Sequence, residues 1–372
     1  MANELLKSMK EYEQLHKFKT YKGDFYTINS ILGNQWAMFY ILLGGREAGK
    51  SYTAMRYAVI NKIKKGDNLK FYWMRLSRSA KEKLLCGKAK DLIDPDIKRK
   101  YNIKLTTKGD TVYTYKEHKV VKKHRDGSEY ESVEQYNKKE FCRVLDCATF
   151  YNDKGVGYFD NEFKGEYIIV LDEMNREESE KNTFDIVYNF VNQLENLVRS
   201  TKINIRVIMI GNTLEEASDI LSAFNFIPDD FGRYKLKRKR CVIDYIRPNE
   251  AYLQRRKGTI ADILLPNAST FTNEVQIDRS LLVNKRNCKK PCEIIKFGKT
   301  QDMWFTVWNN LIVKEYNKES VPVIPMRRYL DEIFNSEAQQ SVFDLWDCRA
   351  YKFVNLSVLK RFQKQLKLLK KQ

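Results

Sequence analysis

The amino-acid sequence predicts an α/β protein with a mostly parallel sheet, followed by a smaller α+β domain. Strand-length apolar runs alternate with stretches of helical spacing over the first two-thirds of the chain. Continuous apolar runs of this kind are typical of strands that are covered on both faces. After about Pro248 the pattern changes to basic runs and shorter strand-like segments. We therefore predict a first domain at residues 1–248, a linker at 249–280 and a second domain at 281–372.

The predicted elements of the first domain alternate between strands and helices. Apolar runs predict strands at Trp36–Leu43, Leu69–Arg75, Tyr167–Leu171 and Ile205–Ile210. Apolar residues at helical spacing predict helices at about residues 51–64 and 184–199. The segment at residues 104–147 differs, because its alternating pattern and its Asp126-Gly127 pair predict an antiparallel hairpin with charged edges.

The second domain gives weaker signals. Residues 292–313 predict two or three strands, with Trp304–Trp308 in the middle, and residues 356–369 predict a basic amphipathic helix. No segment after about residue 215 carries a motif as specific as those that precede it. The function therefore has to be inferred mainly from the first domain.

Composition and charge narrow the class of protein. Hydrophobic residues make up 43% of the 372 residues and aromatic residues 13%, so buried cores are expected and wholesale disorder is not. The 67 Lys and Arg against 48 Asp and Glu give a net charge of +19, which favours a polyanionic partner and is equally compatible with a solvated basic surface. We find no signal peptide and no apolar run long enough to span a bilayer, and the seven scattered cysteines suit a reducing compartment. We expect a soluble intracellular protein with no membrane partner.

A glycine-rich loop follows the first predicted strand and opens the first helix. It matches the pattern G-x-x-x-x-G-K-[S/T], in which backbone N–H groups and a helix N-terminus cradle phosphate oxygens. The pattern predicts that Lys50 reaches the β- and γ-phosphates of ATP and that the Ser51 hydroxyl binds Mg²⁺. The predicted nucleotide-binding residues of the loop and of the helix start are Gly44, Gly45, Arg46, Glu47, Ala48, Gly49, Lys50, Ser51 and Tyr52.

Two adjacent acids end the third predicted strand. Asp172 is expected beside the Mg²⁺ ion, and Glu173 is expected to act as general base on the attacking water. A pair of acids after a strand also serves to cap helices, but the complete phosphate loop makes the catalytic interpretation the stronger one. Asn212 ends the fourth predicted strand, at the edge of a parallel sheet where ligands bind. It is predicted to sense the γ-phosphate or to hold the lytic water, and the alternative is a turn residue.

Arginines near such a site matter because phosphoryl transfer concentrates charge on the γ-phosphate oxygens. Arg46 lies in the loop itself, Arg75 ends the second strand, and Arg78 follows it. Arg199 ends the helix before the fourth strand and is a candidate to act on a neighbouring subunit. Each of these arginines has an alternative role as a surface cation or a helix C-terminal cation.

These motifs resemble the DNA-packaging ATPases of phi29-type podoviruses, which are relatives of the terminase large subunits. The residues that carry the resemblance are 44–52, Phe71–Arg75, Ile168–Glu173, Leu197–Arg199 and Ile208–Asn212. Their order and spacing fit strongly to about residue 215 and thinly afterwards. The hairpin near residues 116–140 does not match. The resemblance implies a catalytic-glutamate P-loop ATPase fold with an additional strand in the sheet.

The resemblance also implies a function and partners. It implies that ATP hydrolysis moves double-stranded DNA into a preformed capsid, in the host cytoplasm and transiently at the portal vertex. It implies a homo-oligomeric ring, a pentamer in that family, with the portal as a protein partner. A capsid-bound RNA is a further candidate partner.

Several residue roles follow from the resemblance alone. Arg199 falls where the family has an arginine that acts in trans, and Arg46 corresponds to the arginine of its phosphate loop. Arg78 falls where a basic residue assists nucleotide handling, and Lys154 matches loosely a second trans-acting base. Glu47 departs from the small or apolar residue that is usual at its position.

The resemblance makes the second domain a relative of RNase H-like nucleases, which need clustered acids for two metal ions. Its strands offer only Glu293 and Asp302. We therefore predict a vestigial nuclease-like fold without cleavage activity that contacts DNA or the portal. Its candidate phosphate contacts are Lys296, Lys299, Lys314 and the basic residues of Lys360–Lys371. Arg176 and Lys181, after the catalytic acids, are candidates to face the DNA in the ring.

Three rival interpretations remain at this stage. The first is a helicase or partition-type P-loop ATPase, which would act on single strands or unwind DNA. The second is a nucleotide-gated binding or scaffold protein that hydrolyses little ATP. The third is an active terminase, which would cut plasmid DNA in the presence of Mn²⁺.

Overall fold

The computed structural model describes residues 13–15, 21–22, 25–123, 129–153, 162–175, 185–199, 201, 204–212, 219–224, 226–228, 230–264, 281, 293–297, 303–308, 311–316, 326–330, 337–348, 351–353, 356, 358, 359, 362, 363 and 366. The contacts divide the chain into two compact units. The first comprises Met1–Leu214 with Asp230–Glu274, and the second comprises Glu215–Asp229 with Val275–Gln372. The domain boundaries near residues 248 and 281 stay a prediction.

Helices and strands alternate through the described parts of the chain. In chain order up to residue 264 they are β1 (Glu13–Leu15), β2 (Tyr21–Lys22), β3 (Phe25–Tyr26), α1 (Asn29–Leu32), β4 (Phe39–Leu43), α2 (Lys50–Lys65), β5 (Leu69–Arg75), α3 (Arg78–Ala89), α4 (Pro95–Tyr101), β6 (Lys104–Lys108), β7 (Thr111–Lys123), β8 (Glu129–Asp146), β9 (Glu166–Asp172), α5 (Ile186–Val198), β10 (Ile205–Gly211), α6 (Asp219–Ala223), β11 (Gly232–Leu236), β12 (Cys241–Tyr245), α7 (Glu250–Arg256) and α8 (Ile260–Leu264). They continue with β13 (Glu293–Phe297), β14 (Met303–Trp308), β15 (Leu311–Tyr316), β16 (Met326–Leu330), α9 (Glu337–Asp347) and β17 (Lys352–Phe353).

The first unit is built on one large sheet. Its order among the described strands is β1-β11-β12-β4-β10-β9-β5-β8-β7-β6. The strands from β12 to β8 are parallel to one another, and antiparallel pairs flank them at both edges. The central strands are apolar on both faces, and Ile41, Val170 and Met209 are fully buried. The prediction of an α/β sheet is confirmed, and the sheet is mixed, with a parallel centre between antiparallel edges.

The strand order places β10 between β4 and β9. It is therefore the additional strand that separates the strand before the glycine-rich loop from the strand that ends in the two acids. Because the three strands are parallel, their carboxyl ends meet at one edge of the sheet. That edge carries the candidate site.

Two parts of the first unit differ from the sequence prediction. The strand predicted from Trp36 begins at Phe39, because residues 34–37 form a turn in which the Ala37 N–H donates to the Asn34 carbonyl at 3.0 Å. β11 and β12 fall where the sequence indicated only a basic run at residues 235–240. The basic residues concentrate in the turn Lys237–Lys239, and the flanking strands are buried.

The predicted hairpin is confirmed as the ribbon of β7 and β8, and its edges are charged. Lys119 pairs with Glu131 at 2.7 Å and Lys122 pairs with Glu134 at 2.8 Å across the two strands. The predicted turn at residues 126–127 lies outside the described residues.

The second unit contains a five-stranded sheet in the order β16-β13-β14-β15-β17. The antiparallel strands β13, β14 and β15 confirm the prediction for residues 292–313, and β14 holds the central Trp304–Trp308 run. The terminal helix predicted at residues 356–369 falls mostly outside the described residues.

A buried ion pair anchors the N-terminal segment of the first unit to the sheet. Asp244 on β12 is fully buried, and Arg233 on β11 donates to its two oxygens at 2.6 and 2.7 Å. Tyr26 donates its hydroxyl to the same carboxylate at 2.8 Å, and Arg233 also donates to the Ser30 hydroxyl at 2.9 Å. Segment 25–30 is thereby fixed beside the carboxyl edge of the sheet.

Removing the cation from this network should destabilise the protein strongly. Arg233→Ala leaves the Asp244 charge buried without a guanidinium, so we expect a loss of about 3–5 kcal/mol in unfolding free energy, measured by denaturant titration. Arg99→Ala, which removes the exposed partner of Asp96, is the matched control and should change little. Equal losses for the two variants would contradict the role of the network.

Candidate active site

The glycine-rich loop joins β4 to α2 at the carboxyl edge of the sheet. Gly49 precedes the first helical residue, Lys50, and has φ = 90°. Few residues other than glycine adopt this conformation without strain. A Cβ atom at Gly49 would also lie 3.2 Å from the Phe25 Cβ. Both facts explain the glycine at this point of the pattern.

Every carbonyl oxygen from Gly44 to Gly49 accepts a hydrogen bond. Lys50 Nζ donates to the carbonyls of Gly44 at 2.8 Å and Gly45 at 2.6 Å. The next three carbonyls are held by residues from other elements. The Tyr252 hydroxyl donates to Arg46 at 3.0 Å, Arg255 Nη2 donates to Glu47 at 2.9 Å, and the Tyr26 N–H donates to Ala48 at 3.0 Å. The Thr53 N–H donates to the Gly49 carbonyl at 2.9 Å within α2.

This pattern orients the loop. In a trans peptide the C=O and the N–H point in opposite directions, and the structure has no cis peptide among its described residues. Each held carbonyl therefore fixes the direction of the N–H group of its own peptide unit. A row of such N–H groups at a helix N-terminus is suited to bind a phosphate.

Lys50 is a buried cation at the base of the loop. Burial lowers the pKa of its ammonium to about 8, and the nearby Asp172 carboxylate opposes that shift. Its side chain is 5% exposed. An anion bound beside Lys50 would favour the charged form of the side chain.

The two acids at the end of β9 converge on the loop. Asp172 accepts a hydrogen bond from the Ser51 hydroxyl at 2.9 Å, and its other oxygen lies 3.0 Å from Arg75 Nη2. Arg75 also forms an ion pair with Glu173. Burial raises the pKa of Asp172, and the Arg75 guanidinium and the Ser51 hydroxyl oppose the shift. Lys50, Ser51, Asp172 and Glu173 therefore lie together, as predicted.

Glu173 is presented differently from its neighbour. Its backbone has φ = 60°, in the left-handed region that is uncommon for this residue type, and its side chain is 61% exposed. The Met174 N–H donates to the Ile210 carbonyl at 2.8 Å, which fixes the turn against β10. Strained residues of this kind are found at functional sites when their surroundings hold them in place.

Asn212 follows β10 at the same edge, between the ends of β4 and β9. Gly211 lets β10 lie close to the side chains of Leu43 and Met174. A Cβ atom at Gly211 would lie 3.0 Å from both Leu43 Cδ2 and Met174 Cε. Asn175 lies beside it, and both polar atoms of its side-chain amide are buried without a hydrogen-bond partner among the described residues. No motif in the sequence points to Asn175.

The predicted cations occupy different places. Arg75 contacts the two acids directly, whereas Arg78 begins α3 and pairs with Glu82 at 2.8 Å. Arg46 and Tyr52 are exposed at the loop and at the first turn of α2. Lys154, Arg176 and Lys181 lie outside the described residues.

Arg199 ends α5, which leads into the amino end of β10. It therefore lies at the edge of the sheet opposite the phosphate loop. With seven residues in β10, the two edges are roughly 20 Å apart. Within one chain, Arg199 therefore lies far from the site formed by Lys50, Ser51, Asp172 and Glu173.

Few of the predicted site residues of the second unit lie within the described part of the chain. Glu293 begins β13, and Lys296 and Lys314 lie on β13 and β15. Asp302 and Lys299 lie outside the described residues, as does most of 360–371. The predicted roles of these residues stay predictions.

The contribution of α7 to the site was not predicted, because this helix falls in the segment 249–280 that was predicted as a linker. Tyr252, Arg255 and Arg256 of this helix contact the loop, and Arg256 Nη1 lies 3.1 Å from a Glu47 carboxylate oxygen. The signal that could have found the helix is its N-cap, where the Asn249 side chain accepts from the Tyr252 N–H at 2.8 Å. The acidic residue inside the phosphate loop was a second signal, since it requires a cation nearby.

Comparison with solved structures identifies the fold. The chain is similar to the viral genome packaging motor assembly of bacteriophage Phi-29, with a TM-score of 0.57, 16% identity, and coverage of 93% of this chain and 99% of that chain. It is also similar to the DNA-packaging motor of Phi-28, with a TM-score of 0.53, 12% identity, and coverage of 93% and 97%. Neither a protein-family model nor a curated protein matches the sequence.

These findings define the fold of the chain. The first unit has a P-loop α/β sheet, and the chain has the fold of the phage DNA-packaging motors. The resemblance inferred from the sequence motifs is confirmed at the level of the fold. Each helix in the described ranges is too short or too polar to cross a lipid bilayer.

The Arg75 ion pairs should hold the acids in place. Arg75→Met leaves the buried Asp172 without a guanidinium, so we expect a loss of about 3 kcal/mol in unfolding free energy. Asp172→Asn in the Arg75→Met background should recover part of that loss, because the uncompensated carboxylate is gone while the Lys50 ammonium keeps its hydrogen bonds to the Gly44 and Gly45 carbonyls. Thermal denaturation of the single and double variants measures the effect. Equal losses in both would show that Arg75 acts through packing alone.

Proposed function

We propose that this protein is an ATPase that couples hydrolysis to the movement of double-stranded DNA into a preformed capsid. One observation carries the proposal, namely the convergence of the phosphate loop, the Ser51–Asp172 pair and the exposed Glu173 at one edge of the sheet. The fold shared with phage packaging motors supports it.

The proposed roles follow from chemistry. The loop N–H groups and Lys50 bind the phosphates of ATP, and Glu173 accepts a proton from the attacking water. The residues present fit Mg²⁺, because a serine hydroxyl and one carboxylate 2.9 Å apart are the ligand types that this ion takes beside substrate phosphates. When bound, Mg²⁺ would neutralise charge that develops on the phosphate oxygens. Asn212 is proposed to hold the lytic water or to sense the γ-phosphate.

We propose that the ATPase works as a homo-oligomeric ring, a pentamer by analogy with the family. Arg199 lies at the sheet edge opposite the loop of its own chain, so it can assist hydrolysis only from a neighbouring subunit. Arg46 is proposed to act within its own site, and Arg78 and Tyr52 to contact the nucleotide. We further propose that the ring acts in the host cytoplasm at the capsid portal, with a capsid-bound RNA as a candidate additional partner.

The second unit is proposed to be a nuclease-like fold that contacts DNA or the portal and does not cut. The net charge of +19 supports contact with a polyanion that does not depend on base sequence. Incubation with plasmid DNA and Mn²⁺ tests the absence of cutting. Cleavage would favour the active-terminase interpretation.

The decisive experiment is the ATPase rate with and without long double-stranded DNA at several salt concentrations. We expect DNA to stimulate the rate at low salt and the stimulation to fall steeply as salt rises, because binding through phosphates releases counterions. Long single-stranded DNA serves as the control. Preferential stimulation by single strands, with strand separation, would favour a helicase, and no stimulation by any DNA would sink the motor proposal.

Glu173→Gln should separate binding from hydrolysis. We expect ATP affinity to be retained and turnover to fall by about 10²–10⁴-fold, because the amide cannot accept a proton from water. Equilibrium binding and steady-state ATPase assays measure the two quantities. Glu195→Gln, an exposed acid on α5, is the matched control. Turnover that survives in Glu173→Gln would support a nucleotide-gated scaffold instead.

A further inference from the structure

The helix α7 contacts the phosphate loop at three points, and all three lie on two consecutive residues of the loop, Arg46 and Glu47. Its Tyr252 and Arg255 hold the carbonyls of Arg46 and Glu47, and its Arg256 binds the Glu47 side chain. Arg255 also lies over the Phe25 ring, with its guanidinium carbon 4.4 Å from the ring centroid. The helix is separated from the loop by about 200 residues of sequence.

The Glu47–Arg256 pair is unusual for its setting. Arg256 is buried, with 8% of its side chain exposed, whereas Glu47 is 60% exposed. Half-exposed ion pairs contribute little to stability, and burying an arginine has a desolvation cost. This ion pair by itself therefore contributes little to the stability of the protein, and the buried position of the Arg256 guanidinium suits a second role.

The charge of Glu47 indicates that role. A carboxylate inside a phosphate loop repels a triphosphate unless a cation neutralises it. Glu47 has φ = 63°, so its backbone is also held in a conformation that few residues adopt unaided. One helix thus supplies the neutralising cation and fixes the two peptide units on either side of Glu47.

We propose that Arg256 is a positioning residue for the nucleotide, which draws the Glu47 carboxylate away from the phosphates and sets the loop to receive them. The inference rests on the proposed function, because it assumes that the loop binds a nucleoside phosphate. It assigns to α7 a role at the site rather than in a linker.

The test is a double-mutant cycle in the full chain, with ADP affinity measured by calorimetry and KM and kcat measured for ATP. Arg256→Gln should weaken ADP binding by about tenfold, since the loop then carries an uncompensated charge. Glu47→Gln should bind ADP more tightly than the parent protein, because the repelling carboxylate is gone and the Arg256 guanidinium stays. The double variant should return to within about threefold of the parent affinity, because the repelling charge is gone. KM should rise in Arg256→Gln more than kcat falls.

Two further variants keep the proposal falsifiable. Arg256→Lys retains the charge and should lose less affinity than Arg256→Gln, even if both melt at a lower temperature. Arg99→Gln, which breaks an exposed ion pair on α4, is the control and should leave ADP affinity unchanged. An Arg256→Gln variant that binds ADP normally, or a double variant no better than Arg256→Gln, overturns the proposal and leaves the proposed function standing. A parent protein that binds no nucleotide overturns both.

Discussion

A phosphate loop has no sheet or helix partner for most of its backbone, so its carbonyls have to be satisfied by neighbouring groups. Here Lys50 at the end of the loop and two distant parts of the chain supply the donors, the distant ones being Tyr26 from the N-terminal segment and Tyr252 with Arg255 from α7. The direction of the N–H groups depends on these contacts. The glycine pattern permits the conformation, and the surrounding elements select it.

The N-terminal segment is itself fixed by a buried ion pair. Asp244 lies on β12, which is paired in parallel with β4, and it holds Tyr26 and Arg233 together. The segment that binds the Ala48 carbonyl is therefore anchored to the strand next to the loop. Beneath the loop the charges alternate, because Lys50 lies near Asp172 and Asp172 pairs with Arg75. Each buried charge has an opposite charge beside it, which lets three ionisable groups stay at the ends of buried strands.

The parts of the fold with strong local signals were predictable from sequence. Strand β5 has the predicted bounds, and the loop, Asp172 and Glu173 lie together because parallel apolar strands bring their carboxyl ends to one edge. The missing parts depend on long-range contacts. β11 and β12 were not predicted, because the basic turn between them dominates the local sequence pattern. α7 was not predicted, because its partners in the loop are about 200 residues away in the sequence. The pairing of Arg75 with both acids was equally beyond sequence, since it depends on the order of β5 and β9 in the sheet.

The opposite placement of Arg199 and the phosphate loop has a physical consequence for the proposed ring. A helix that returns from the carboxyl edge of a parallel sheet ends at its amino edge, so α5 carries its last residue away from its own loop. A cation at that position assists phosphoryl transfer only when another subunit presents its carboxyl edge to it. In the proposed function, hydrolysis then depends on contact between subunits as well as on the four residues at the loop. Because α7 holds the loop through these contacts, any rearrangement of the loop would either break them or displace the helix. Packed elements of this kind shift between discrete arrangements rather than deform continuously, and such shifts are how a small change at a bound phosphate becomes movement elsewhere in a chain.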